Sequence, residues 1–421
     1  MLIRYLVLWL AAPLVLSPAL AQPSYLDLRT EAESALSRKD YAGARKALLA
    51  ALELQPDSPR ALRLLAAATA LSGDSAGALD FLRRLAALGI TAAIEKDPAF
   101  GSLQGKPEFI KVLRALADNR SPQGAAEVFA ELPGRTGIIE GIAVRERTGD
   151  IFLGDAHHRA IWRRDHTGQV LRFTPEEEGL PGVFGLAVDE ARDTLWAATA
   201  ALPAMSGYTA ELRGHAALAE FELSTGRLRR VIPVPVDGRD HALNDLTVGL
   251  DGTVYLADGI APVVWQFSPG RDEMEKLADS PRFHSLQGLV LFRRKLFVAD
   301  YAHGLFSVDL DQREITHLPA PPNTTLVGLD GLAAAPGGIV AVQNGVEPQR
   351  VVRITLSAGL DTVTGVTVLA AGQSHLEDLA LITMLHDRLT LIAGAGWDGF
   401  DPAKTPQPRA HTVRIFQVAL P

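Results

Sequence analysis

The chain has 421 residues, 47% of them hydrophobic, and a formal net charge of -8 with acidic and basic residues interspersed. It has no basic stripe that could neutralise phosphates, which argues against nucleic acid as a partner. It also contains no cysteine, which excludes disulfides, thiolate nucleophiles and cysteine-based zinc sites. The length is sufficient for two or three domains with sizeable cores.

Residues 1–21 have the pattern of a secretory signal peptide. Arg4 supplies a positive charge, residues 5–16 are apolar, and Ala19-Leu20-Ala21 offers a small-residue cleavage site. An uncleaved N-terminal anchor is the alternative, whereas a lipoprotein is excluded because there is no cysteine to acylate. No later segment approaches the roughly 20 apolar residues of a spanning helix. We therefore predict a soluble periplasmic or secreted protein with no membrane span after signal cleavage.

Residues 22–119 carry Ala and Leu at helical spacing and predict a small all-α domain. Residues at the offsets of a tetratricopeptide repeat are Asp40-Tyr41, Ala44, Ala51 and Pro56, and one period later Gly73-Asp74 and Ala78. Such a domain could bind a protein partner in a groove, or it could only pack on the rest of the chain. About two repeats offer little concave surface, which favours packing. Residues 120–125 are the predicted linker.

Residues 126–421 contain six copies of a β-hairpin pattern. In the third copy residues 244–248 form the first strand, Asp251-Gly252 supplies the turn, and a second strand ends at Asp258. The copies begin at Glu140, Phe184, Asn244, Gln287, Asp330 and Glu377. The regular spacing of these copies along the chain, together with further short β-rich runs in each copy, predicts a mainly β fold. We predict a six-bladed β-propeller that follows the helical domain.

Two departures from the repeat make further predictions. The sixth copy ends after its third strand, so residues 126–132 can supply the missing outer strand and close the ring. The second and third copies are spaced more widely than the others because of residues 200–218, which are rich in Gly, Ala and Ser. We predict that this insertion is a long loop over one face of the propeller.

The first residue of each copy opens the innermost strand of a blade, so all six should ring the mouth of the central channel. Five of the six carry side-chain oxygens, and Phe184 is aromatic. Three carboxylates at close range repel one another unless they are protonated or neutralised by a cation. A set of carboxylate and amide oxygens suits a hard divalent cation such as Ca²⁺, whereas zinc or copper would prefer His or Cys.

The ends of the second strands return to the same mouth. The polar residues there are Asp155, His157, His158, Asp258, Asp300, Tyr301, His303 and Asn344. Together with a metal ion, such residues could perform hydrolysis. Alternatively, the aspartates cap turns and the mouth only holds water. His241 and His215 are predicted to be solvated loop residues, and Trp397 is either a core residue or a ligand-stacking one.

The hairpins at residues 140–144, 244–252 and 330–332 resemble the regucalcin/gluconolactonase family of six-bladed propellers, over about residues 126–419. The resemblance implies a calcium or other divalent ion in the channel and hydrolysis of lactones or esters, as in the related paraoxonases. Matched motif by motif, it implies Glu140, Asn244 and Asp330 as metal ligands. The fourth blade has Gln287 where the family usually has Asn.

Two other positions depart from that family. Phe184 stands where paraoxonases have a functional His, and Ala242 stands where gluconolactonases have an Arg. Both departures remove groups that handle substrate and leave the metal ligands in place.

Two functions follow as hypotheses. The first is a metal-dependent hydrolase of a small lactone or ester, in which Glu140, Asn244, Gln287 and Asp330 hold the cation. Asp330 resembles the family's proposed catalytic base, with Glu377 or His303 as substitutes. The second is a non-catalytic binding protein whose propeller face and helices dock a protein partner or a glycan.

Overall fold

The computed structural model describes residues 23–175, 180–397, 400 and 409–420. The predicted signal peptide lies outside the described residues. Within the described part of the chain, no helix is both long and apolar enough to cross a membrane.

The N-terminal part of the described chain is helical, as predicted. Its α-helices are α1 (Tyr25–Ser37), α2 (Tyr41–Leu54), α3 (Pro59–Leu71), α4 (Ser75–Ala87) and α5 (Pro107–Asp118), with a 3-10 helix at Pro98–Leu103. Side-chain oxygens of Ser24, Asp40, Ser58 and Asp74 cap the first four by accepting a first-turn N–H. Ala44, Ala51 and Ala78 are fully buried, so the small residues let neighbouring helices approach closely. The assignment to tetratricopeptide repeats stays a prediction.

Six antiparallel sheets follow and form the predicted propeller, with the innermost strand of each blade lining the channel. Strands β1 (Gln123–Gly124) and β2 (Glu127–Arg135) precede the first blade. Blade 1 consists of β3 (Ile139–Arg145), β4 (Asp150–Asp155), β5 (Ala160–Arg164) and β6 (Val170–Arg172). Blade 2 consists of β7 (Gly182–Asp189), β8 (Thr194–Ala200), β9 (Ala216–Glu222) and β10 (Leu228–Pro233).

The remaining blades repeat this order of strands. Blade 3 consists of β11 (Leu243–Val248), β12 (Val254–Asp258), β13 (Val263–Phe267) and β14 (Glu275–Asp279). Blade 4 consists of β15 (Leu286–Phe292), β16 (Lys295–Asp300), β17 (Gly304–Asp309) and β18 (Ile315–Leu318). Blade 5 consists of β19 (Leu329–Ala335), β20 (Gly338–Gln343), β21 (Arg350–Leu356) and β22 (Val363–Ala371). Blade 6 has β23 (Ile382–Leu385), β24 (Arg388–Ala393) and β25 (His411–Ala419).

The ring closes as predicted. Strand β2 pairs with β25, so that Val128 lies opposite Phe416 and Leu132 opposite Val413. The N-terminal end of the propeller thus supplies the outer strand of blade 6, which removes an exposed sheet edge.

The predicted linker, residues 120–125, is not a free tether. Gln123 and Gly124 form β1, which pairs with β22 and adds a fifth strand to blade 5. Gly124 has a φ of 63°, and a Cβ atom there would lie 1.8 Å from the Leu369 carbonyl oxygen. A glycine is therefore required where the helical domain joins the propeller.

The sixth hairpin begins later than the repeat pattern predicts. Its inner strand starts at Ile382 and not at Glu377. Asp378 adopts a left-handed conformation, with a φ of 49°, and its carboxylate accepts the Gly396 N–H at 2.6 Å. This turn delays the strand, and the Leu381 N–H then donates to the Glu140 carbonyl oxygen in blade 1.

Candidate functional site

A cavity of about 290 Å³ lies at the mouth of the channel. Its walls come from the opening residues of the inner strands, the residues that follow β16 and β20, the long loop after β8, and the residues after β24. The lining residues are Glu140, Phe184, Leu202, Asn244, Gln287, Tyr301, Asp330, Asn344, Leu381 and Trp397. We refer to this space as the mouth cavity.

The four predicted metal ligands, Glu140, Asn244, Gln287 and Asp330, all line the mouth cavity, as does Phe184. Glu377 does not. Its side chain is exposed, and Leu381 occupies the sixth place in the ring because β23 begins late. The prediction that Glu377 joins the ring is therefore wrong.

His303, the other predicted substitute base, is also absent from the residues that line the mouth cavity. Its ring lies edge-on to Tyr25 of α1 at a centroid distance of 5.8 Å. It therefore contacts the helical domain, and we do not include it in the candidate chemistry.

Hydrogen bonds orient the amides of the ring. Asn244 uses both of its Nδ2 hydrogens, on Gln287 Oε1 at 2.9 Å and on the Leu286 carbonyl oxygen at 3.0 Å. Asn344 donates to Asp330 Oδ2 at 2.5 Å and to the Leu379 carbonyl oxygen at 2.8 Å. Within the described part of the chain, the buried Oδ1 of Asn344 has no hydrogen-bond partner. A buried acceptor without a donor is costly, so this atom calls for a ligand.

The carboxyl groups of the ring are buried close to one another. Burial and the nearby Asp330 raise the pKa of Glu140 well above its ordinary value, although Trp397 Nε1 donates to Glu140 Oε2. Burial raises the pKa of Asp330 to about 6 against the hydrogen bond from Asn344. One residue after Asn244, burial raises the pKa of Asp245 to about 8. A bound cation would offset this cost by favouring the ionised forms.

The donor set fits a hard divalent cation. Two carboxylates and the amide oxygens of Asn244, Gln287 and Asn344 are the oxygen ligands that Ca²⁺ prefers. No group of three or more His, Cys, Asp or Glu side chains among the described residues could hold a metal ion. The candidate site depends instead on two carboxylates completed by amides.

The aspartates at the ends of the second strands serve as caps of the turns that follow. Asp155, Asp258 and Asp300 are almost completely buried. Asp258, for example, accepts the N–H groups of Ala242 and Ala261 at 3.1 Å each. This geometry supports the structural alternative for these residues, and none of the three lines the mouth cavity.

The prediction that His241 is a solvated loop residue is wrong. It is 4% exposed, and its Nδ1 lies 2.6 Å from Asp258 Oδ2 while its Nε2 lies 3.0 Å from Asp237 Oδ1. The two carboxylates hold the imidazole inside blade 3, where it completes the turn cap of Asp258.

A histidine–aspartate pair in blade 1, His158 and Asp155, makes stability depend on pH. A 2.8 Å hydrogen bond to Asp155 raises the pKa of His158, against partial burial and the charge of Arg172. The folded protein therefore binds this proton more tightly than the unfolded chain does. The stabilisation is fully present below about pH 6.5 and is lost as the pH rises through the folded-state pKa.

We expect His158→Gln to lower the free energy of unfolding more at about pH 6 than at about pH 9, as measured by urea denaturation. Equal losses at the two pH values would show that the imidazolium contributes nothing to stability.

Sequence reasoning left part of the mouth cavity unassigned. Tyr301 and Asn344 follow second strands, so the repeat predicts them near the mouth, but nothing in the repeat distinguishes them from the turn caps. The sequence leaves Trp397 as either a core or a ligand-stacking residue. In the structure it lies in the cavity wall, where it donates a hydrogen bond to Glu140 and its ring is stacked on Phe184 at a centroid distance of 6.5 Å. Leu202 lies in the insertion, where no pattern could identify it.

No family model and no curated protein matches this chain. Similar solved structures include a gluconolactonase from Xanthomonas campestris, with 14% identity, 69% of this chain and 88% of that chain covered, and a TM-score of 0.49. Another is the PQQ-bound aldose sugar dehydrogenase from Streptomyces coelicolor, with 16% identity, 70% of this chain and 98% of that chain covered, and a TM-score of 0.45.

A third similar structure is the virginiamycin B lyase from Staphylococcus aureus, with 12% identity, 63% of this chain and 82% of that chain covered, and a TM-score of 0.46. A gluconolactonase is thus among the similar structures. The names of these proteins describe three different activities, so the likeness concerns the fold alone.

Proposed function

We propose that the protein is an exported, periplasmic or secreted hydrolase that cleaves a small lactone or ester at the mouth cavity with the help of a divalent cation, Ca²⁺. The observation that carries this proposal is the convergence of Glu140 and Asp330 with amide oxygens, among them the unpartnered Oδ1 of Asn344. Such a set of oxygens would hold the cation.

Glu140, Asn244, Gln287 and Asp330 are the proposed ligands, and Asn344 is added to them from the geometry. When bound, the cation would polarise the carbonyl group of the substrate and stabilise the oxyanion that forms on it. The hydrogen bonds from Trp397 and Asn344 would keep the two carboxylates oriented toward the cavity.

Asp330 is the proposed general base. Its Oδ2 is held by Asn344, which leaves Oδ1 to take a proton from water. Burial raises the pKa of Asp330 to about 6, and a bound cation would favour the ionised form further, so the carboxylate is available to accept a proton near neutral pH.

Tyr301 and the apolar wall would handle the substrate. Burial, Asp330 and Glu140 raise the pKa of Tyr301 to about 12, so its hydroxyl stays protonated and can donate a hydrogen bond. Phe184, Leu202 and Trp397 provide an apolar surface that would exclude water and contact the hydrocarbon part of a ligand.

Metal removal tests the proposal. The purified protein is assayed on a panel of lactones and esters before chelation, after chelation, and after Ca²⁺ is restored. We expect turnover to disappear with the chelator and to return with Ca²⁺, while circular dichroism stays unchanged. Lactone turnover that is insensitive to chelation would overturn the mechanism.

The second candidate function, a binding protein, is favoured by a groove of about 680 Å³ in the helical domain. Residues 91–97 and α5 form it, with Ile94 and Leu116 among its apolar residues. Lys96 and Arg114 also line it, and neither has an ion-pair partner among the described residues. An acidic segment of a partner protein would complement this charge. Under this alternative, a double variant with Lys96→Glu and Arg114→Glu loses partner binding. Under the same alternative, the wild-type protein turns over no lactone.

A further inference from the structure

We propose that the helical domain is a positioning element of the mouth cavity, which fixes the side of the cavity that carries Asp330 and Asn344 through Arg350 and Asp57. The proposal deepens the proposed function and rests on it. It assigns the domain a role in the site itself, in addition to packing or partner binding.

Asp57, in the turn between α2 and α3, holds the segment that leads into β19. Its Oδ2 accepts the Leu326 N–H at 3.0 Å and the Thr325 hydroxyl at 3.1 Å. Asp330 follows four residues after Leu326, at the second position of β19. Burial raises the pKa of Asp57 despite these bonds, so the contact is a desolvated one and not an exposed surface pair.

Arg350 joins the end of α4 to the end of β20. It is 3% exposed, and its Nη1 donates to the carbonyl oxygens of Leu88 at 3.4 Å and Gly89 at 3.1 Å. Its Nε donates to Gln343 Oε1 at 2.7 Å. A guanidinium at a helix C-terminus satisfies carbonyl groups that have no partner within the helix.

Gln343 links Arg350 to the site through hydrogen bonds. Its Nε2 donates to the carbonyl oxygens of Thr325 at 2.9 Å and Val327 at 2.7 Å, which lie in the segment that Asp57 holds. The next residue in the chain is Asn344, which donates to Asp330. Asp57 therefore holds the segment before Asp330. Arg350 holds Gln343, which binds that same segment and immediately precedes Asn344.

Comparison with the other blades shows that this connection is particular to blade 5. Gln343 is the last residue of its second strand, as Asp155, Asp258 and Asp300 are in blades 1, 3 and 4. Those aspartates accept N–H groups of their own blade. Gln343 instead donates to carbonyl oxygens and needs Arg350 for its own oxygen. The cap of blade 5 is thus completed by a residue that also binds α4.

Other contacts between the domains lie on the same side of the ring. The Thr91 N–H donates to the Glu347 carbonyl oxygen at 2.6 Å, and Val346 belongs to the apolar core of the helical domain. Gln55 Nε2 donates to the Ala302 carbonyl oxygen at 2.9 Å, next to Tyr301. The helical domain therefore holds the segments that carry Tyr301, Asp330 and Asn344.

The test uses the protein with both of its domains and the variant Arg350→Met, which keeps an apolar stem but loses every donor. Arg353→Met is the matched control, because Arg353 lies on the same strand and its Nη2 donates to the Pro336 carbonyl oxygen. Calorimetric Ca²⁺ affinity is measured well below the unfolding temperature of each variant, together with lactone kcat and KM.

We expect Arg350→Met to weaken Ca²⁺ binding by about tenfold, as loss of ligand positioning typically does, and to lower kcat, while Arg353→Met behaves like the wild type. Arg350→Lys, which keeps a donor, should recover part of the affinity. A merely stabilising role would lower the unfolding temperature and leave the affinity of the folded protein unchanged, and that result would overturn the proposal. If Arg350→Met does not fold, Asp57→Asn serves as the second variant with the same criteria.

Failure of the proposed function can be told apart from failure of this inference. If the wild type neither binds Ca²⁺ nor hydrolyses lactones, the proposed function is wrong. Hydrogen exchange then decides the positioning role: we expect amides of residues 325–330 and 344–349 to lose protection in Arg350→Met and not in Arg353→Met. Unchanged protection in these segments would overturn the inference.

Discussion

Asp330→Asn is expected to reduce lactone turnover by about a thousandfold, the range over which a general base contributes, while the propeller stays folded. The substitution keeps the size of the side chain and removes its charge. Asp330 would lose both of its proposed roles, as an anionic ligand of the cation and as the proton acceptor. Ca²⁺ affinity should therefore fall together with kcat, and calorimetry and steady-state kinetics measure the two effects separately.

Glu377→Gln is the matched control for this prediction. It makes the same change from carboxylate to amide at a residue that the repeat pattern assigned to the ring and the structure places on the surface, exposed to solvent. We expect wild-type turnover and Ca²⁺ affinity. If Glu377→Gln were inactive and Asp330→Asn active, the register of blade 6 and the proposed base would both be wrong.

The propeller could be predicted because each blade repeats the same local pattern, an apolar strand, a turn and a second strand. In blades 1, 3, 4 and 5 that second strand ends on a polar residue. Ring closure followed from a missing strand at one end of the repeat and an extra one at the other. The sixth blade departed from the pattern because Asp378 forms a left-handed turn with a hydrogen bond to Gly396. That contact joins residues on either side of a hairpin, and the repeat alone does not contain it.

Part of the site could be predicted for the same reason, and part of it could not. Glu140, Asn244, Gln287 and Asp330 occupy one position of the repeat, so their convergence follows from the symmetry of the fold. Trp397 and Leu202 lie in segments that no other blade possesses, and no periodicity places them. Among the contacts that dock the helical domain, the Arg350–Gln343 hydrogen bond depends on Gln343 where blades 1, 3 and 4 have an aspartate, and Arg350 is known as its partner only from the folded contacts.

Gly141→Ala is expected to have the largest effect on stability. The residue that follows each ring position is glycine in four blades: Gly141, Gly185, Gly288 and Gly331. These glycines lie where adjacent inner strands approach most closely. A Cβ atom at Gly141 would lie 1.8 Å from the Phe184 carbonyl oxygen, a backbone atom that can yield only if the two blades separate.

Overpacking of this kind typically costs about 1–3 kcal/mol and more when backbone must move, so we expect Gly141→Ala to lower the free energy of unfolding by roughly 3 kcal/mol. Urea denaturation measures this loss. Gly101→Ala is the control, because a Cβ atom at Gly101 would meet no atom within 4 Å, and its stability should match the wild type. Because Glu140 precedes Gly141 and Phe184 lies in the opposing strand, folded Gly141→Ala should also bind Ca²⁺ more weakly. Wild-type stability for Gly141→Ala would mean that the inner strands are not packed as closely as this ring requires.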